Sequence, residues 1–252
     1  MSEWTWEMKG LEWDDPFRIR SWQELVNWVN EVGFLPLFAN TVPGFSAEEH
    51  VHRWSWWTGD REQDPWEWRE LIARSRQVAY GKFFNQKAGF ISQEWLPVFA
   101  NFRRDGYDFD ASWEDGLADR RERSIMNLLT GRDEEGDTTF PDVQILSTEL
   151  KKQAGFGKGG DKNFPGIITG LQMKTYLVIT DFRRRKSRQG REYGMAVSVL
   201  QPPEAVWGYE AVTQCYNESP AVSWERIVRR IQERFPGAEE HEIVKLIGRK
   251  PK

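Results

Sequence analysis

The sequence predicts an α+β fold on three observations. Between Ser112 and Leu200 three helical segments are followed by a strand, a basic turn and a returning strand. A second hairpin pattern, Val78 to Ser92, lies in the N-terminal half, and thirteen of the 14 tryptophans fall outside residues 111–204, Trp113 being the exception. With 252 residues, 39% hydrophobic and 29% charged, the chain suffices for one large domain or two small ones and is too apolar for a wholly disordered one.

The first twenty residues carry Trp4, Trp6, Trp13, Asp14 and Asp15 without clear period and read as an acidic, Trp-rich arm. A helix follows from Ser21. Ser21 and Glu24 have the spacing of a capping box, Trp22, Leu25, Val26, Val29 and Val32 recur at helical intervals, and Gly33 supplies the stop. Val42 to Gly59 reads as a long loop holding Trp54, Trp56 and Trp57. The next helix is capped by Asp64, opens on Pro65, has Glu67 at the box position and shows Trp68, Leu71 and Ile72 on one face. Val78 to Phe84 and Ala88 to Ser92 then flank Asn85-Gln86-Lys87 as a hairpin. Leu35-Pro36-Leu37-Phe38-Ala39-Asn40 returns as Leu96-Pro97-Val98-Phe99-Ala100-Asn101. Two copies do not make a repeat fold, so these read as two similar aromatic corners.

Helices are expected at Ser112 to Thr130, Ser147 to Gln153 and Asn163 to Gln172, with Arg132 to Thr139 as a loop. The apolar run Tyr176 to Ile179 leads into the Arg183 to Arg191 turn, and Tyr193 to Leu200 returns. That is the order of a winged helix, a helix-turn-helix variant with a β-hairpin wing. Pro202-Pro203 closes the unit, and a helix at Ser223 to Phe235 and an amphipathic tail at Ala238 to Ile247 complete the chain. The expected divisions are the arm (1–20), an aromatic-rich mixed α/β half (21–110), the winged-helix unit (111–204) and C-terminal helices (205–252).

Net charge conceals an asymmetry that bears on partners. Lys151, Lys152, Lys158, Lys162, Lys174, Arg183, Arg184, Arg185, Lys186, Arg188 and Arg191 face only Asp161 and Asp181 across residues 151–191, a local charge of +9. The formal net charge is −4, so the rest of the chain carries −13. Exposed charges are screened over about 8–10 Å at physiological salt, so such a block attracts a polyanion despite the overall sign. Double-stranded DNA is the expected partner, with the Asn163 to Thr175 helix in the major groove and the wing on backbone or minor groove. A solvated basic hairpin balanced by acidic neighbours is the plainer reading of the same residues.

Other chemistries find less support. Gly155-Phe156-Gly157-Lys158-Gly159-Gly160 satisfies G-x-G-x-x-G, with Asp181 about twenty residues on, yet a helix rather than a strand is expected before it, and Pro165 and Gly166 weaken the helix needed after it. No nucleotide cofactor is therefore expected. His50, His52 and His241 are the three histidines and Cys215 is the one cysteine, so no disulfide and no metal site is expected. Asp108, Asp110, Glu94, Glu67 and Glu70 each have a structural role available in a cap, turn or aromatic cluster. No apolar run reaches 18 residues and Met1 to Gly10 lacks signal-peptide character, so a cytoplasmic protein without a membrane partner is expected.

The strings Asp64-Pro65-Trp66-Glu67-Trp68-Arg69, Tyr80-Gly81-Lys82-Phe83-Phe84, Glu149 to Gly160, Leu171-Gln172-Met173, Asp181-Phe182-Arg183-Arg184-Arg185 and Glu192-Tyr193-Gly194 resemble the short bacterial proteins called AlkZ-related. The resemblance runs from about Ser21 to Arg234. It implies a link to the winged-helix DNA glycosylases of the AlkZ and YcaQ kind, which excise bulky alkylated bases without a metal through a Gln-apolar-Asp or Gln-apolar-Gln element. Gln172-Met173-Lys174 stands nearest that element, so the resemblance makes Gln172 and Lys174 the candidate catalytic residues. Lys174 replaces the carboxylate or amide, and a lysine cannot orient water in the same way. The chain is also shorter than those glycosylases. Trp54, Trp56, Trp57, Trp66 and Trp68 are candidates to stack on an extruded base, with core packing as their alternative. The resulting expectation is a winged-helix DNA-binding protein that recognises or excises alkylated bases. A non-catalytic binder or transcriptional regulator, and a protein-docking module, stand beside it.

Overall fold

A computed structural model of the chain describes residues 7–251. Trp4 and Trp6 of the expected arm lie outside them. The rest of the arm docks through its backbone: Leu11 N–H donates to Val51 O at 2.9 Å and Ile19 N–H to His50 O at 2.7 Å. Helix α1 (Trp22–Val32) starts where Ser21 Oγ accepts from Glu24 N–H. The box is only half closed, because the Glu24 carboxylate turns to Arg20 N–H.

Strand β1 (Phe34–Pro36) follows, and a long loop leads to helix α2 (Pro65–Ser75). Strands β2 (Val78–Phe84) and β3 (Lys87–Ser92) form the expected hairpin, with Asn85 and Gln86 both at positive φ as a tight two-residue turn needs. The sheet order is β1-β3-β2, all antiparallel. Helix α3 (Leu96–Arg104) packs on it through Phe99, whose ring centre lies 4.8 Å from that of Phe34 and 6.1 Å from that of Phe84. The repeated hexapeptide is therefore not two similar corners. Its first copy pairs with β3, Leu35 opposite Phe90, whereas its second opens α3, with Pro97 in the first turn where no backbone N–H is required.

The helix expected at Ser112 to Thr130 is two, α4 (Phe109–Glu114) and α5 (Arg120–Met126). Gly116 at φ +71° breaks the path, and Asp119 restarts it with a full capping box to Glu122. The Arg132 to Thr139 stretch holds a small ribbon, β4 (Gly131–Arg132) with β5 (Thr138–Thr139). Then come β6 (Ile145–Leu146), α6 (Ser147–Gln153), α7 (Phe164–Met173), β7 (Val178–Lys186) and β8 (Glu192–Gln201), with sheet order β6-β8-β7. Arg183 to Lys186 thus lie on β7 itself, and only Ser187 to Arg191 form the turn. Helices α8 (Pro203–Trp207), α9 (Tyr209–Thr213), α10 (Pro220–Arg234) and α11 (Glu240–Ile247) end the chain; Ser219, not Ser223, caps α10.

Two hydrophobic clusters result. The larger joins α1, the first sheet and α3 to Ile227, Ile231, Ile243 and Ile247 of the C-terminal helices. The smaller gathers Ile125, Met126, Leu150, Ile168, Leu171, Leu177 and Leu200. Between them sits Arg104, at the end of α3 and 4% exposed. It donates to Thr175 O at 2.8 Å, to the Glu204 carboxylate and to the Tyr216 hydroxyl at 3.1 Å, with its guanidinium 4.6 Å from the centre of the Tyr176 ring. Burial alone would depress that guanidinium, but Glu204 and Tyr216 outweigh it and hold its pKa above the ordinary value. Arg104→Met leaves the Glu204 carboxylate buried and unpaired, and is expected to cost about 3–5 kcal/mol in urea unfolding. Arg104→Met with Glu204→Leu is expected to recover most of that loss.

Candidate nucleic-acid interface

The eleven basic residues of the 151–191 window fall into two groups. Lys151 and Lys152 end α6, Lys158 and Lys162 lie on the loop after it, and Arg184, Arg185, Lys186, Arg188 and Arg191 lie along and beyond β7; all nine are exposed. None of these nine pairs with a carboxylate among the described residues. The other two are engaged. Arg183 Nε donates to Asp181 at 2.6 Å, and Lys174 Nζ donates to both Glu122 oxygens at 2.9 and 3.1 Å. Tyr193 and Met195, 49% and 87% exposed, project from β8 beside the basic residues.

The glycine loop is self-contained. Phe156 N–H donates to Lys151 O, Gly157 N–H to Asp161 O and Asp161 N–H to Gly155 O, while the Phe156 ring packs edge-on against Phe164. A Cβ on Gly160 would lie 2.2 Å from Gly155 O, so glycine is required there by close backbone approach. The loop follows α6, not a strand, and Lys158 and Lys162 stand exposed on it.

Where β7 crosses α2, two adjoining hollows open. One, of about 1060 Å³, is a groove of mixed charge, lined by Arg61, Arg184 and Lys186 and by Glu67, Glu70, Glu149 and Glu192. Burial pushes the Glu70 carboxyl above the usual range, with Arg69 opposing. The other, of about 830 Å³, is an apolar cleft walled by Phe38, Trp57, Tyr80 and Ile179. Trp66, Arg69, Phe182 and Ala196 line both. The Arg69 guanidinium lies 3.8 Å from the Trp66 ring centre and 4.3 Å from that of Phe182. Asp64 holds this corner. Fully buried, it accepts from Trp57 N–H at 3.1 Å, Gly59 N–H at 2.9 Å and Trp66 N–H at 2.8 Å, tying the Trp57 loop to the start of α2. Arg74 fastens the opposite wall, donating to Asp181 at 2.9 Å and Phe182 O at 3.2 Å. Sequence reasoning does not single out Arg69, Arg74, Tyr80 or Phe182; three of them stand in the family strings, but only folding brings α2 against β7.

Among the described residues no three His, Cys, Asp or Glu side chains are placed to hold a metal, and no helix is long and apolar enough to cross a membrane. The family model described as AlkZ related matches residues 19–248. The chain belongs to the AlkZ-related family. No curated protein and no solved structure matches it.

In this AlkZ-related protein the two candidate catalytic residues have separate environments. Gln172 is 2% exposed; its Oε1 accepts from Lys82 N–H at 3.1 Å and its Nε2 donates to Ile168 O at 3.1 Å, which binds α7 to the back of β2. Lys174 reaches the other way, to Glu122 on α5. The tryptophans also divide. Trp56 and Trp68 are core, Trp57 and Trp66 line the cleft, and Trp54, 70% exposed, does not. Gln172→Ala strands a buried N–H and is expected to lower unfolding stability by about 1–3 kcal/mol with DNA absent. An unchanged urea midpoint would contradict this placement.

Proposed function

We propose that this protein binds duplex DNA through a winged-helix unit formed by α5, β6, α6, α7, β7 and β8, and reads lesion or shape rather than base sequence. The observation that carries this reading is the set of nine exposed, carboxylate-free cations at the end of α6, on the loop after it and on one hairpin. Strand order β6-β8-β7 after a helix, with two further helices inserted before the hairpin, supports the winged-helix assignment. Family membership supports the link to DNA glycosylases of the AlkZ kind.

The surface of α7 argues against sequence reading. Pro165 and Gly166 are exposed, and Ile167, Gly170 and Met173 partly so, so within α7 no arginine, asparagine or glutamine faces outward, and the exposed Asn163 at its N-cap is the one amide beside it. Small side chains allow close approach to the backbone, and phosphate contacts position without specifying. Excision requires a group that activates water. Gln172 is committed to Lys82 and Ile168, and Lys174 to Glu122, so we read both as structural and the protein as a binder.

Fluorescence anisotropy on two unrelated 20-base-pair duplexes tests this. Equal affinities are expected, falling with salt at a log-log slope of about −5 if six phosphates are neutralised. Replacing Arg184, Arg185, Lys186, Arg188 and Arg191 by Ala is expected to remove most binding; unchanged affinity would overturn the reading. Duplex containing an N7-methylated purine is expected to yield no abasic sites, and release of the base, abolished by Gln172→Ala, would restore the catalytic assignment.

A further inference from the structure

The cleft and groove between α2 and β7 are built as a pair, and the wall between them is unusual. Arg69 is 8% exposed, and its Nε is buried without a hydrogen-bond partner among the described residues. Its Nη2 donates to the Glu70 carboxylate at 3.4 Å. Its guanidinium carbon lies over both the Trp66 and Phe182 rings, and the three side chains together line both hollows. Beside it Trp57, a bulky residue at φ +59°, is held in a strained backbone conformation by Asp64 and remains 55% exposed. Its ring centre lies 5.8 Å from that of Trp56 and 6.4 Å from that of Trp66, so it continues the aromatic wall of the cleft with half of its surface open.

We propose that the apolar cleft receives a single unstacked nucleobase, between Trp57, Trp66 and Tyr80, while Arg184 and Lys186 in the adjoining groove hold the phosphates that flank it. Two features select a nucleotide over an apolar peptide. Lys82 and Lys87 edge the apolar hollow itself, and Arg184 and Lys186 stand in the hollow that shares its wall, so cations flank the aromatic surface as phosphates flank a base. Aromatic stacking accepts any base, matching the absence of sequence-reading side chains on α7. The proposal rests on the DNA-binding reading and adds to it the part of the DNA that the aromatic half recognises. An extruded base costs least when it is unpaired or damaged, which makes such sites the preferred ones.

The test uses the full chain and three probes: a matched duplex, the same duplex with one bulged 2-aminopurine, and free 2-aminopurine deoxynucleoside monophosphate. The bulged duplex is expected to bind at least about 10-fold more tightly than the matched one, with 2-aminopurine fluorescence quenched by stacking. Trp57→Ala is expected to reduce that preference by about 5-fold or more and relieve the quenching, with matched-duplex affinity unchanged. Ala88→Trp, on a wall of the cleft that the groove does not share, is expected to do the same. Equal affinity for both duplexes without quenching would overturn the pocket and leave the duplex reading standing. Quenched binding of the free nucleotide, lost in Trp57→Ala, without binding of either duplex would uphold the pocket and sink the duplex reading. Binding of none of the three would overturn both.

Discussion

Arg104 stands where two hydrophobic cores meet, and its guanidinium ties the larger core, the α7–β7 turn and α8 together. A buried ion pair contributes little net stability, since desolvation offsets most of the attraction. Its effect is geometric. Once Thr175 O, Glu204 and Tyr216 have claimed the donors, the α7–β7 turn has one position on the body, and β7 leaves it in one direction. Gln172 on β2 and Arg74 on Asp181 extend the same fastening along the hairpin. The basic strand is therefore held against the aromatic half, and a groove and cleft exist between them.

This arrangement gives the charge asymmetry a spatial meaning. Eleven cations in one window would repel one another on a compact surface, but two are neutralised by Asp181 and Glu122 at the base of the unit. The remaining nine lie further out, at the end of α6, on the glycine loop and on the hairpin, where solvent screens them and a polyanion can reach them. The body keeps most of the acidic residues. On the proposed reading, this separation directs a duplex to the basic segments and away from the acidic body.

Much of this is legible in the sequence. Local signals suffice wherever one residue decides a backbone path: Asp64 and Pro65 start α2, Gly33 stops α1, and Asn85-Gln86 turns the hairpin. Asp119 and Glu122 carry an equally plain box, but apolar residues on both sides mask the break at Gly116. The hexapeptide misleads because near-identical residues take strand or helix according to whether a β3 partner is present. The basic run reads as a turn because arginines have no strong strand signature, whereas pairing with β8 draws Arg183 to Lys186 into the ladder. The site itself is half visible. Its cations and tryptophans can be named, but the role of Arg69, and the burial of Gln172 between α7 and β2, arise from contacts between segments some 90 to 110 residues apart, which no local pattern encodes.

Amide hydrogen exchange on the full chain, with and without a 20-base-pair duplex, tests most directly that the basic loop and hairpin are the DNA-facing surface. Protection on adding duplex is predicted at residues 155–163 and 183–195, with the Trp57 loop and the start of α2 protected further when the duplex carries an unpaired base. Protection confined to α10 and α11, or none at either basic segment, would contradict the account.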